Sequence, residues 1–136
     1  MLWAQECDII FVAPNGGTGP GVGTRENPAE LNYAISNLLT PTIRRLYLAY
    51  GIYTLTQTLP LHNNLEIEGG FDPNQGWIKT NLYPTILFRA AVNPTANPSR
   101  LVGIAGVNVS GFRVQDIELY VEDATPLGGG TTTYGL

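Results

Sequence analysis

Charge is what this chain has least of. Only 13% of its 136 residues are Asp, Glu, Lys or Arg, about half the usual quarter, and the balance is −4. The seven cations are scattered, with Arg44-Arg45 the one adjacent pair, so no basic patch exists and nucleic acid is excluded as a partner. Cysteine is reduced to Cys7, which rules out an internal disulfide and leaves a buried thiol or a bond to another chain. His62 is the sole histidine and sits in a Leu-His-Asn-Asn turn with no ligand or base at useful spacing. A Gly-x-Ser-x-Gly nucleophile signature is missing. No apolar run approaches the length of a membrane-spanning helix.

What remains is turn chemistry around a substantial apolar content. Hydrophobic residues are 43% of the chain, with Gly 16 and Pro 10, which fits one β-rich domain with a core and many corners. Asp8–Ala13 reads as a first strand, and Pro14–Thr24 as a glycine-rich loop. That loop lacks both the Gly-Lys-Ser/Thr ending of a phosphate cradle and the dinucleotide spacing. Asn27-Pro-Ala-Glu30 is a helix start, with Asn27 as N-cap, Pro28 at N1 and Glu30 at N3. Leu31, Ala34, Ile35 and Leu38 then form one apolar stripe, so an α-helix is expected over about residues 28–39, ending before Pro41.

The organising stretch is Arg45–Leu61 with Leu65–Asp72. Apolar and polar residues alternate at Leu46/Leu48, Leu59/Leu61 and Leu65/Ile67, as in half-buried strands, with turns at Gly51, His62-Asn63-Asn64 and Gly69-Gly70. Thr85–Phe88, Arg100–Ala105, Val107–Val109, Gly111–Val114 and Ile117–Val121 continue as strands, interrupted by an excursion over Ala90–Ser99. Phe112, Val114, Ile117, Leu119 and Val121 are the expected inward set. Leu46 and Leu65 are one solenoid turn apart in this reading.

Ile10-Phe-Val-Ala-Pro-Asn-Gly16, the Pro-started helix, Leu46–Tyr53 with its Gly-x-Tyr corner, Leu65–Pro73 and Val109–Val114 together resemble the opening of a right-handed parallel β-helix of the pectin-lyase-like kind. The Gly-Gly-Phe-Asp-Pro…Trp77 form is similar to surface proteins of Bacteroidetes-type bacteria. The resemblance implies an all-β solenoid with one N-terminal capping helix. Residues 6–136 would be the cap and first rungs, cut short at the C-terminus where Gly128–Leu136 reads as a corner entering a strand. Met1–Gln5 reads either as a secretory-signal remnant or as a native start. The alternative architecture is a small antiparallel β-sandwich.

Candidate chemistry is sparse. Alternation puts Glu66 and Glu68 on one outward face and Asp116, Glu118 and Glu122 on another. The latter three are the candidate calcium ligands, and carboxylate pairs of this kind also serve glycoside cleavage. Arg89, Arg100 and Arg113 stand in no lyase motif, so no catalytic residue is assigned and no other cofactor is expected. Among Tyr47, Tyr50, Tyr53, Phe71, Trp77 and Tyr83, the candidate carbohydrate contacts are Tyr50, Tyr53 and Trp77. Asn108-Val-Ser110 fits the glycosylation sequon. The functional expectation is a non-catalytic, extracellular structural or adhesive segment of a larger cell-surface or secreted protein. Its partners would be downstream rungs or another copy at the C-terminal end, and polysaccharide. The alternatives are the N-terminal part of a polysaccharide lyase or glycoside hydrolase with its active site elsewhere, and a self-assembling filament subunit.

Overall fold

The structure, a computed structural model, describes residues 8–94, 100–122 and the backbone of 132–134. The expectations for Met1–Gln5 and Cys7 therefore lie outside the described residues, as do parts of Ala90–Ser99 and of Gly128–Leu136.

The strands are β1 (Ile9–Gly17), β2 (Arg45–Ala49), β3 (Gly51–Leu55), β4 (Leu59–Pro60), β5 (Glu66–Asp72) and β6 (Ile78–Lys79). They continue as β7 (Thr85–Arg89), β8 (Arg100–Val102), β9 (Ile104–Ala105), β10 (Arg113–Gln115), β11 (Glu118–Val121) and β12 (Thr132–Tyr134). The main sheet runs β1-β2-β5-β10, with β6 added to β5. The others are β11-β7-β3, β12-β8 and β4-β9. All pairings are parallel except β5 with β6.

This corrects the β-helix expectation. Ile10 pairs with Leu46, Leu46 with Ile67 and Ile67 with Val114, so successive steps span 36, 21 and 47 residues rather than a constant period. The largest sheet is mixed, and the sheets differ in strand number. The result is a small β-rich domain of parallel and mixed sheets, without a repeating solenoid turn among the described residues. Parallel pairing equally excludes the antiparallel sandwich.

The helix is also shorter than its stripe predicts. Ala29 bridges both Val12 and Gly17, which holds the chain extended as far as Glu30 (φ −76°, ψ 144°). Strand-like pairing thus overrides the Asn27 cap. Glu30 takes over as N-cap, accepting from the backbone N–H of Tyr33 at 2.8 Å and Asn32 at 3.1 Å. Only α1 (Leu31–Tyr33) is α-helical, and a π turn over Ala34–Leu38 follows. Leu31, Ala34 and Ile35 are nevertheless buried, so the apolar stripe covers the core as its spacing requires.

The main core gathers Leu46, Leu48, Leu59, Leu65, Ile67 and Leu87, all fully buried. Their alternation reads correctly, and Gly51 (φ +126°) makes the β2–β3 corner. The opposite face of the main sheet is not solvated. Phe11, Tyr47, Phe71 and Trp77 form a second cluster there, with Tyr47 stacked on Phe71 at 4.2 Å and Trp77 edge-on to Phe11 at 4.9 Å. Val114, Ile117 and Leu119 pack against the main core while remaining half-buried. Phe112 corrects the inward set: it is 42% exposed, ahead of the register fixed by Arg113↔Glu66.

Candidate functional site

A groove of about 400 Å³ opens where the β6–β7 connection faces the β10–β11 corner. Lys79, Thr80, Tyr83, Asp116 and Glu118 line it, and Gly70 and Thr85 form its floor. The floor is set by close backbone approach. A Cβ on Gly69 would lie 2.6 Å from the Asp116 carbonyl oxygen and 2.7 Å from Thr85 Cβ, so only glycine fits. Buried Thr85 accepts from the Gly70 N–H at 2.8 Å, tying β7 to β5 below the groove.

Lys79 is its electrostatic centre. Its Nζ lies 2.6 Å from Glu68 Oε2 and 2.6 Å from Asp116 Oδ2, and donates to the Gly69 carbonyl at 2.7 Å. The ammonium also sits 4.8 Å from the Phe71 ring centroid. Burial pulls the Lys79 pKa down, but hydrogen bonds to Asp116 and Glu68 outweigh it and leave it raised. The hydrogen bond from Lys79 holds the Asp116 carboxyl below the usual aspartate range.

The three candidate calcium ligands do not converge. Asp116 is engaged by Lys79, Glu118 accepts from the Tyr120 hydroxyl at 3.0 Å, and Glu122 accepts from the Ala91 N–H at 2.6 Å. No group of three or more His, Cys, Asp or Glu side chains suited to a metal occurs among the described residues.

The candidate carbohydrate contacts separate as well. Tyr53 is buried, and its hydroxyl donates to the Ala49 carbonyl at 2.7 Å and the Val12 carbonyl at 3.2 Å. Trp77 is buried in the second cluster, with Nε1 donating to the Arg25 carbonyl at 3.3 Å. Both are therefore core groups, closed to a ligand. Tyr50 is half-buried and packs on Tyr83 at 4.7 Å, which leaves Tyr83 48% exposed on the groove wall.

Sequence reasoning missed Lys79, which follows Trp77 in no motif and meets its partners only through the fold. It also passed over Arg89. This guanidinium is fully buried and donates to the carbonyls of Val102, Ala90, Val92 and Asn93 at 2.7–2.9 Å. Burial lowers its pKa. Its place is a clip on the loop after β7, away from the groove. Asn108 of the sequon is exposed, with φ +56°.

Among the described residues, β10 and β11 at the groove end are the last members of their sheets. At the other edge, β1 is covered, since Phe11 N–H donates to Gly23 and Ala29 bridges Val12 and Gly17. Comparison with protein-family models, curated proteins and solved structures finds no match for this chain.

Proposed function

We propose that this chain is a non-catalytic structural or adhesive segment of a larger extracellular protein, holding polysaccharide in the Lys79–Tyr83 groove. The carrying observation is that the groove pairs an exposed tyrosine wall with two carboxylates held on one ammonium. Glu68 and Asp116 each touch one ammonium at 2.6 Å, so they form a close carboxylate pair of the general kind that glycoside cleavage employs. Cleavage needs one of such a pair protonated near neutrality, with a raised pKa. Asp116 is moved the other way, and Lys79 bridges the pair where a glycosidic oxygen would have to enter. The groove is thus equipped to hold sugar and not to cut it.

The test is retention on insoluble polysaccharides, with product analysis of the same incubations. Retention without new reducing ends or unsaturated products is the expected result. Release of either product overturns the non-catalytic reading, and absence of retention overturns the adhesive one.

A second reading, association of two copies, is favoured by the outer edge. Among the described residues β10 and β11 have a neighbour strand on one side only, beside half-buried Val114, Ile117 and Leu119. The covered edge of β1 offers no matching template for head-to-tail growth among the described residues, which favours a closed pair over a filament. Light scattering across a concentration series tests it. Doubling of the 14.7 kDa mass supports a pair, whereas a constant monomer or open-ended polymer overturns it.

A further inference from the structure

We infer that the groove accepts a neutral polysaccharide chain and rejects acidic ones. The inference rests on the polysaccharide-holding reading above and narrows it to a ligand class.

Acidic glycans carry carboxylate or sulfate groups, and a site for them needs a cation with donors to give. An ammonium has three N–H donors. Those of Lys79 are matched by Glu68, Asp116 and the Gly69 carbonyl, at 2.6, 2.6 and 2.7 Å. Nothing of this cation is left for a ligand. Around it stand Glu68, Asp116 and Glu118, three carboxylates against one ammonium, so the groove repels an incoming anion. Breaking the Lys79 contacts to free a donor would leave two like charges side by side.

A neutral pyranose meets no such barrier. Tyr83 is braced from behind by Tyr50 at 4.7 Å and offers a ring face to the apolar side of a sugar. Thr80, Asn81 and the outer oxygens of Asp116 and Glu118 supply uncharged and acceptor groups for its hydroxyls. The volume of about 400 Å³ falls within the roughly 300–1,000 Å³ typical of small-ligand sites, room for part of one chain.

The experiment is an NMR titration of the 136-residue chain at low salt. The probes are neutral hexasaccharides of glucose, mannose and xylose, with a hexamer of galacturonic acid in parallel. Expected is binding of at least one neutral hexamer, weakened tenfold or more by Tyr83→Ala, with the acidic hexamer at least tenfold weaker. Tyr83 is exposed, so its loss should leave the fold intact, and unchanged far-UV circular dichroism checks this. Preferential, Tyr83-dependent binding of the galacturonic acid hexamer overturns the inference while leaving the polysaccharide reading standing. Failure of every hexamer at millimolar concentration overturns both. Binding unaffected by Tyr83→Ala overturns the assignment to this groove.

Discussion

Lys79 and Asp116 meet at 2.6 Å, and the same ammonium takes Glu68 at 2.6 Å and the Gly69 carbonyl at 2.7 Å. Three oxygens converge on one point at nearly the distance of about 2.3–2.6 Å at which calcium is held. The lysine fills the place that a bound cation would otherwise take. Lys79→Met keeps the stem over Phe71 and removes the charge. Because the lysine side chain is 37% exposed, the expected loss is only about 1 kcal/mol in urea unfolding. Millimolar calcium should then raise the melting temperature of the variant and leave the parent unmoved. An equal response of the two proteins would count against a preformed oxygen cage.

The same pair sets a pH dependence. The folded pKa of Asp116 is depressed, so its contribution is present above the ordinary aspartate value of about 4 and lost as pH falls through the folded value. That of Lys79 is raised, so its contribution is present below about 10.4 and lost as pH rises through the folded value. Stability from the pair is therefore flat across neutrality, with one limb at each end. Asp116→Asn should fall below the parent at pH 6 and approach it near pH 2. A gap that stays constant across that range would disprove the ionic account.

Arg89 makes a sharper demand. Its buried guanidinium supplies four hydrogen bonds to backbone carbonyls, and no neutral side chain offers that fork. Arg89→Met strands those carbonyls, at a cost of roughly 3 kcal/mol or more. Arg89→Lys, with three donors on a single nitrogen, should fall between. Urea unfolding should rank parent, lysine and methionine in that order. Hydrogen exchange should rise at Val92, whose N–H donates to Ala90 within the clipped loop.

These residues also mark where the sequence stops being readable. Leu46, Leu48, Leu65 and Ile67 announce themselves because period-two alternation is local, and burial confirms each. Leu31, Ala34 and Ile35 are legible for the same reason at helical spacing. Ala29 is not, because its extended conformation comes from bridges to Val12 and Gly17, which no local pattern encodes. Nor is the Lys79 cluster, whose partners come from β5 and from the corner after β10. The aromatic content was visible, yet which rings face solvent was decided by the second cluster. Trp77 turns inward at φ +62° to close it, so of the six aromatics weighed as a sugar-stacking surface Tyr50 and Tyr83 are the pair left outside the two cores.

Tyr53 separates packing from recognition. Its hydroxyl donates to two carbonyls in the interior, so Tyr53→Phe should cost about 1–2 kcal/mol and leave polysaccharide retention unchanged. Tyr83→Ala should do the reverse. Burial pushes the Tyr53 phenol well above its ordinary pKa of about 10, so the folded protein keeps it neutral at alkaline pH while the unfolded chain ionises. Its contribution is therefore present below about pH 10 and lost as pH rises further. The stability gap between parent and Tyr53→Phe should accordingly be level from neutrality to pH 9 and shrink by pH 11. Loss of retention in Tyr53→Phe with unchanged unfolding would instead make this residue a ligand contact.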